Sequence, residues 1–106
     1  MRRQKHKFGA VRTEVDGIKF ASKAEARYYN ALKLRQKAGE IVFFMRQVPF
    51  YLVGGIRYVV DFQEFHSDGT VHFIDVKGME TPEFKMKKKM VEAAYPVEIE
   101  VVKMPR

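Results

Sequence analysis

Cysteine is absent from the sequence, which excludes disulfides, zinc–thiolate sites and thiol nucleophiles. No apolar run approaches the ~20 residues of a membrane span, and the opening MRRQKHKFGA lacks the apolar segment of a secretory signal. A soluble cytoplasmic protein with no membrane partner is therefore expected. Acids are in short supply: 13 Asp+Glu stand against 20 Lys+Arg, for a net charge of +7 and a pI near 9.7. That balance favours a polyanion through long-range attraction and counterion release, with nucleic acid ahead of an anionic lipid surface.

What remains is a chain of 106 residues, enough for one domain that buries roughly 60–70% of its unfolded surface. Residues 1–10 are basic and lack periodicity, so they read as a flexible arm, with residues 11–106 as a single domain. TEVDGIKFAS predicts a strand pair about Asp16-Gly17. Ser22 predicts the start of a helix that runs to about Ala38 and stops at Gly39. EIVFFMRQ and FYLV read as two strands separated by Pro49, and Gly54-Gly55 turns the chain into a hairpin. Thr81-Pro82 opens a second helix to about Ala94, and VEIEVVKM closes as a strand. The expected fold class is α/β, a mixed central sheet flanked by two helices.

The hairpin YVVDFQEFHSDGTVHFIDVKG carries an aspartate in each strand. A three-residue loop Ser67-Asp68-Gly69 pairs His66 with Thr70, hence Asp61 with Asp75, and sets Val60 against Val76 and Phe62 against Ile74 on the other face. A two-residue loop shifts every pairing by one and scatters the apolar pairs, so the longer loop is expected. Opposed carboxylates repel and need compensation. A divalent cation supplies it, since Mg²⁺ takes one or two carboxylates and leaves positions for substrate. The plainer alternative is that Asp75 pairs with Lys77 as a solvated edge ion pair.

Glu25 falls in the apolar stripe of the first helix, with Ala21, Tyr28, Tyr29 and Leu32, opposite Lys23, Arg27, Asn30, Lys33 and Lys37. It reads either as the partner of Ser22 in a capping box or as an acid facing the sheet, and the two roles are compatible. In the second helix Lys85, Lys88, Lys89 and Glu92 share one side, while Met86, Met90, Ala93 and Ala94 are expected to fill the core. The lysines form a solvated ridge or a nucleic-acid contact, and Arg2, Arg3, Lys5, His6 and Lys7 a solubility tail or a second such contact. His6, His66 and His72 lack metal-ligand spacing and read as surface or edge residues.

Glu25 in a first helix, Asp61 in YVVD, and IDVKG with Asp75 and Lys77 resemble the core of the PD-(D/E)xK nuclease superfamily, whose fold is restriction-endonuclease-like. Size and element order resemble its small archaeal-type Holliday junction resolvases. VDGIKFASKAEARYYNAL, AGEIVFFMRQVPFYL and DVKGMETPEFKMKKK also resemble a family of short phage-encoded proteins grouped with those resolvases, over roughly residues 8–103. One departure is Val60, where the signature has proline. The resemblance implies a Mg²⁺-dependent endonuclease, with Mn²⁺ as a substitute, acting as a homodimer on four-way DNA junctions in the host cell cytoplasm. It makes Asp61, Asp75, Glu25 and the Val76 carbonyl the metal ligands and Lys77 the cation beside the scissile phosphate. Gln47, in MRQVPF, is a candidate site or DNA contact within that pattern, or simply an edge glutamine serving backbone groups. The same chemistry on duplex, ends, flaps or RNA, and a non-catalytic basic DNA-binding protein, are the alternatives.

Overall fold

Local signals set the first elements. In the computed structural model, which describes residues 12–104, strands β1 (Thr13–Val15) and β2 (Ile18–Phe20) pair about Asp16 and Gly17, both at positive φ, as a tight primed turn requires. The Ser22 hydroxyl accepts from the Glu25 N–H at 3.1 Å and caps α1 (Lys23–Lys37); Gly39, at φ 89°, follows its C-terminus. The arm residues Arg2, Arg3, Lys5, His6 and Lys7 lie outside the described residues.

Four strands form the main sheet: β3 (Ile41–Tyr51), β4 (Arg57–His66), β5 (Val71–Val76) and β6 (Ile99–Val102), in that spatial order. The first two pairings are antiparallel and the β5–β6 pairing is parallel. Helix α2 (Pro82–Ala94) supplies the crossover that a parallel pair needs, and is capped by Thr81, which accepts from the Phe84 N–H at 3.1 Å. The result is an α/β fold with a mixed sheet and two helices. Among the described residues no helix is long and apolar enough to cross a membrane.

Each face of the sheet carries its own core. Tyr28, Tyr29 and Leu32 of α1 pack with Phe20, Phe62, Ile74 and Val76. Phe84 and Val91 of α2 pack with Phe50, Tyr58, Val60 and Ile99. The β4–β5 register is the expected one, with Phe62 opposite Ile74, Phe65 opposite Val71, the His66 N–H bonded to Thr70 at 2.9 Å, and Gly69 at φ 91°.

Three expectations are corrected. Pro49 does not divide the chain: β3 runs through it as one strand, because β3 is an edge strand with only one paired side. Val60 does not share a face with Phe62, Ile74 and Val76, since it belongs to the α2 core. In α2 the buried residues are Phe84 and Val91, whereas Met86 is 53% exposed and Ala93 and Ala94 are exposed. A seven-residue spacing brings Phe84 and Val91 onto one stripe. That stripe passes Lys88, which is half-buried and bonded to Glu92 at 3.1 Å, leaving Lys85 and Lys89 as the exposed members of the expected ridge.

Glu64 on β4 is also fully buried, which its sequence context did not signal. The Tyr28 hydroxyl donates to it, His66 Nε2 lies at 2.8 Å, and Arg35 Nη1 at 3.7 Å. His66 is thereby tied into a buried polar cluster, and its ring stacks on His72 at 4.1 Å between centroids. Removing Glu64 takes away the carboxylate beside the buried Tyr28 hydroxyl and His66, while Arg35 keeps its bond to Glu40 at 2.7 Å. Glu64→Ala should cost about 3–5 kcal/mol in urea denaturation, and Glu64→Gln, which retains an acceptor for Tyr28, clearly less. Equal losses for both variants would show that packing rather than pairing gives Glu64 its weight.

Candidate active site

The site forms where β4 and β5 stop pairing as a regular ladder. Beyond Phe62–Ile74 no further backbone pair forms between them. Instead the Asp61 N–H donates to Asp75 Oδ1 at 3.0 Å, and the Val76 N–H donates to Asp61 Oδ2 at 2.9 Å. Two aspartates thus replace two carbonyls as acceptors for strand amides. Backbone dipoles thus hold the two opposed carboxylates in the sheet. The Tyr58 hydroxyl donates to Asp75 Oδ2 as well.

The neighbouring strand departs from regularity at the same level. Gln47 lies between the pairs Arg46–Phe62 and Val48–Val60, and takes φ 54°, a left-handed conformation that costs a non-glycine residue about 1–3 kcal/mol. Even-numbered residues pack on the α1 side before this point in β3 (Phe44) and on the α2 side after it (Val48, Phe50). In β4 the same change of face falls between Val60 and Phe62. Asp61 and Gln47 therefore sit at the seam between the two cores.

Glu25 reaches this seam from α1. It is buried, and its Oε2 accepts from Gln47 Nε2 at 3.2 Å. Its carboxylate is also steadied by the Ala21 backbone N–H. Helix capping and proximity to the other acids thus coexist, although the back-bond goes to Ala21 instead of Ser22. Gln47 also hydrogen-bonds to Asp61 and so links two of the acids. Lys77, two residues past Asp75, lies with Nζ 4.8 Å above the Phe84 ring and lowers the pKa values of Asp61 and Asp75 by its charge.

Opposing effects on the acids can be ranked. Burial pushes Asp75 up to about 6 from the ordinary 3.8, against the amide of Asp61 and the charge of Lys77, which pull it down. Asp61 is raised by burial despite the Val76 amide and Lys77. Glu25 is raised by burial and then by the charge of Asp61. Desolvation wins at all three positions, so each carboxyl is harder to ionise than in water. The donors are hard oxygens, suited to a divalent cation such as Mg²⁺. Among the described residues, however, no three acids or histidines already form a group that could hold a metal. Loading would need carboxylate oxygens that are now engaged by amides and by Tyr58.

The structure therefore draws together Glu25, Asp61, Asp75, Lys77 and Gln47, with Val76 contributing an amide to Asp61. Lys85 and Lys89 stand exposed on α2, the helix whose Phe84 ring carries Lys77. Sequence reasoning missed Tyr58, whose place opposite Asp75 depends on the change of face in β4.

Fold and site together define an α/β domain that gathers buried carboxylates beside a lysine at the parting of two strands. The family model matching residues 5–105 is described as a protein of unknown function (DUF1064), and the chain belongs to that family. No curated protein and no solved structure matches it.

The raised carboxyl pKa values carry a stability consequence. A folded-state value of about 6 against 3.8 means that Asp75 contributes most favourably below about pH 4 and loses that contribution as pH rises through 6. The difference corresponds to about 3 kcal/mol for a group this buried. Metal-free Asp75→Asn should therefore be more stable than the parent at pH 8 by up to about 3 kcal/mol, with the advantage fading toward pH 4. A pH-independent difference in denaturation midpoints would refute this account of the Asp75 environment.

Proposed function

We propose that the protein is a Mg²⁺-dependent endodeoxyribonuclease of the PD-(D/E)xK type with a restriction-endonuclease-like core, and that its substrate is a four-way DNA junction. The observation that carries the catalytic part is the Asp61–Asp75 pair, held across two parting strands with Glu25 and Lys77 beside it and made hard to ionise by burial. Asp61, Asp75, Glu25 and the Val76 carbonyl would hold Mg²⁺ or Mn²⁺, which supplies Lewis acidity at the phosphate when bound. Lys77, anchored over Phe84, neutralises charge that builds on the phosphate oxygens as the phosphodiester is attacked in line. Gln47 positions Glu25 and Asp61 relative to each other. The net charge of +7, with Lys85 and Lys89 exposed, supports a nucleic-acid substrate through phosphate contacts that carry no sequence information.

Junction choice follows from the resemblance and from symmetry: paired nicks on opposing strands require two copies related by a two-fold axis. A homodimer is therefore part of the proposal. A non-catalytic DNA-binding role is favoured by one observation, that among the described residues no three acids or histidines form a group ready to hold a metal.

Matched four-way junction, three-way junction, duplex and single-stranded substrates, incubated with Mg²⁺ or with chelator, separate these readings. Cleavage should require Mg²⁺ and should be lost in Asp75→Asn and Lys77→Ala, while junction binding survives in both. Wild-type single-turnover rates in either folded variant would remove these residues from the site. Absence of Mg²⁺-dependent cleavage of every substrate would favour the non-catalytic reading.

For the substrate, sedimentation should show a dimer, and the junction should be nicked symmetrically in preference to duplex. Salt should weaken binding to all forms while that preference persists. A monomer at micromolar concentration, or equal cleavage of duplex and junction, leaves the nuclease and excludes the resolvase.

A further inference from the structure

Arg46 stands beside the acid cluster without being bonded to it. It is the β3 residue paired with Phe62, immediately before Gln47. Its guanidinium carbon lies 4.6 Å from the centroid of the Phe20 ring, on the α1 side of the sheet, so the group is braced by an aromatic face. Its charge reaches both Glu25 and Asp61, lowering their pKa values. No ion pair joins it to either acid among the described residues. Its Nε is buried and has no hydrogen-bond partner.

These features exclude two ordinary roles. A fully solvated surface arginine does not bury Nε, and a direct ion-pair partner of the acids would lie within bonding distance of one of them. Native structures rarely leave a buried N–H unmet, so the hydrogen bonding of Arg46 within the protein is incomplete. A guanidinium braced by a ring on one face keeps its N–H donors in the plane of the fork, the geometry that takes two oxygens of a phosphate.

Resting on the nuclease reading, we infer that Arg46 is a phosphate-binding residue of the site, accepting the backbone phosphodiester of the nucleic acid with its guanidinium fork while Phe20 fixes its direction. It positions substrate next to the carboxylates, a task distinct from that of Lys77, whose ammonium acts as a point charge.

The test uses the full chain and a fluorescent DNA duplex and four-way junction of known length. Affinity is measured in chelator over a salt series, and single-turnover cleavage is measured in Mg²⁺. Arg46→Gln should weaken binding about tenfold at low salt and reduce the slope of log affinity against log salt by about 0.9 on duplex, the signature of one lost phosphate contact. Arg46→Lys keeps the charge and should leave the slope unchanged, yet bind several-fold more weakly because the fork is lost. If Arg46→Gln fails to fold, the lysine variant decides alone, and parental affinity in it overturns the inference. Loss of thermal stability with parental affinity and slope in Arg46→Gln would also overturn it, leaving a purely structural arginine. Should the parent bind DNA without cutting it while the Arg46→Gln slope still falls, the nuclease reading fails and the phosphate contact stands.

Discussion

The arrangement rests on one exchange of hydrogen-bond acceptors. Where β4 and β5 diverge, the amides of Asp61 and Val76 turn to the carboxylates of Asp75 and Asp61. A sheet that ends this way still satisfies those N–H groups, so the parting carries no penalty of unmet donors. Each aspartate gains a strong, charge-assisted bond. Burial nevertheless outweighs these bonds, and the carboxyls remain harder to ionise than in water. The fold thus holds two carboxylates side by side in the sheet while burial disfavours their charged forms.

The change of face at the same level explains why acids from different elements converge. Had β3 and β4 alternated without interruption, Val60 and Phe62 would have served one core and Tyr58 would not have met Asp75. The irregular step at Gln47 and Asp61 lets the two strands serve α1 at one end and α2 at the other. Irregularities of this kind concentrate near functional sites because they re-aim side chains without ending the sheet. Here the step brings Gln47 to Glu25 and Asp61 together.

Basic charge on α2 is divided between two tasks. Lys88 is drawn to Glu92, and Glu92 in turn accepts from the Ile99 N–H at 2.8 Å, so that pair helps fasten α2 to β6. Lys85 and Lys89 remain open to solvent. Lysines three and four residues apart on one helix therefore divide between fastening the helix and facing solvent, a division that charge counting does not reveal.

Elements governed by local chemistry were legible in the sequence. Ser22 and Thr81 cap helices because their hydroxyls meet amides three residues on. Gly69 takes a left-handed turn that fixes the β4–β5 register, and that register links Asp61 with Asp75. Glu25 was legible because a charged residue in an apolar helical stripe must face something other than water. Other features depended on partners distant in the chain. Pro49 continues a strand because β3 has one free edge, which only the strand order establishes. Val60 and Tyr58 changed cores, Met86 was left in solvent, and Glu64 was buried by Tyr28, Arg35 and His66. Periodicity assumes an unbroken strand or a uniform helix, whereas the conformation of Gln47 and the contacts of Glu64 arise from packing between segments far apart in sequence. The sequence by itself determined the helices, the hairpin and the register that links Asp61 with Asp75; tertiary structure decided that β3 runs unbroken and that Glu25, Tyr58 and Lys77 meet those acids, because burial and Coulomb interaction act across space.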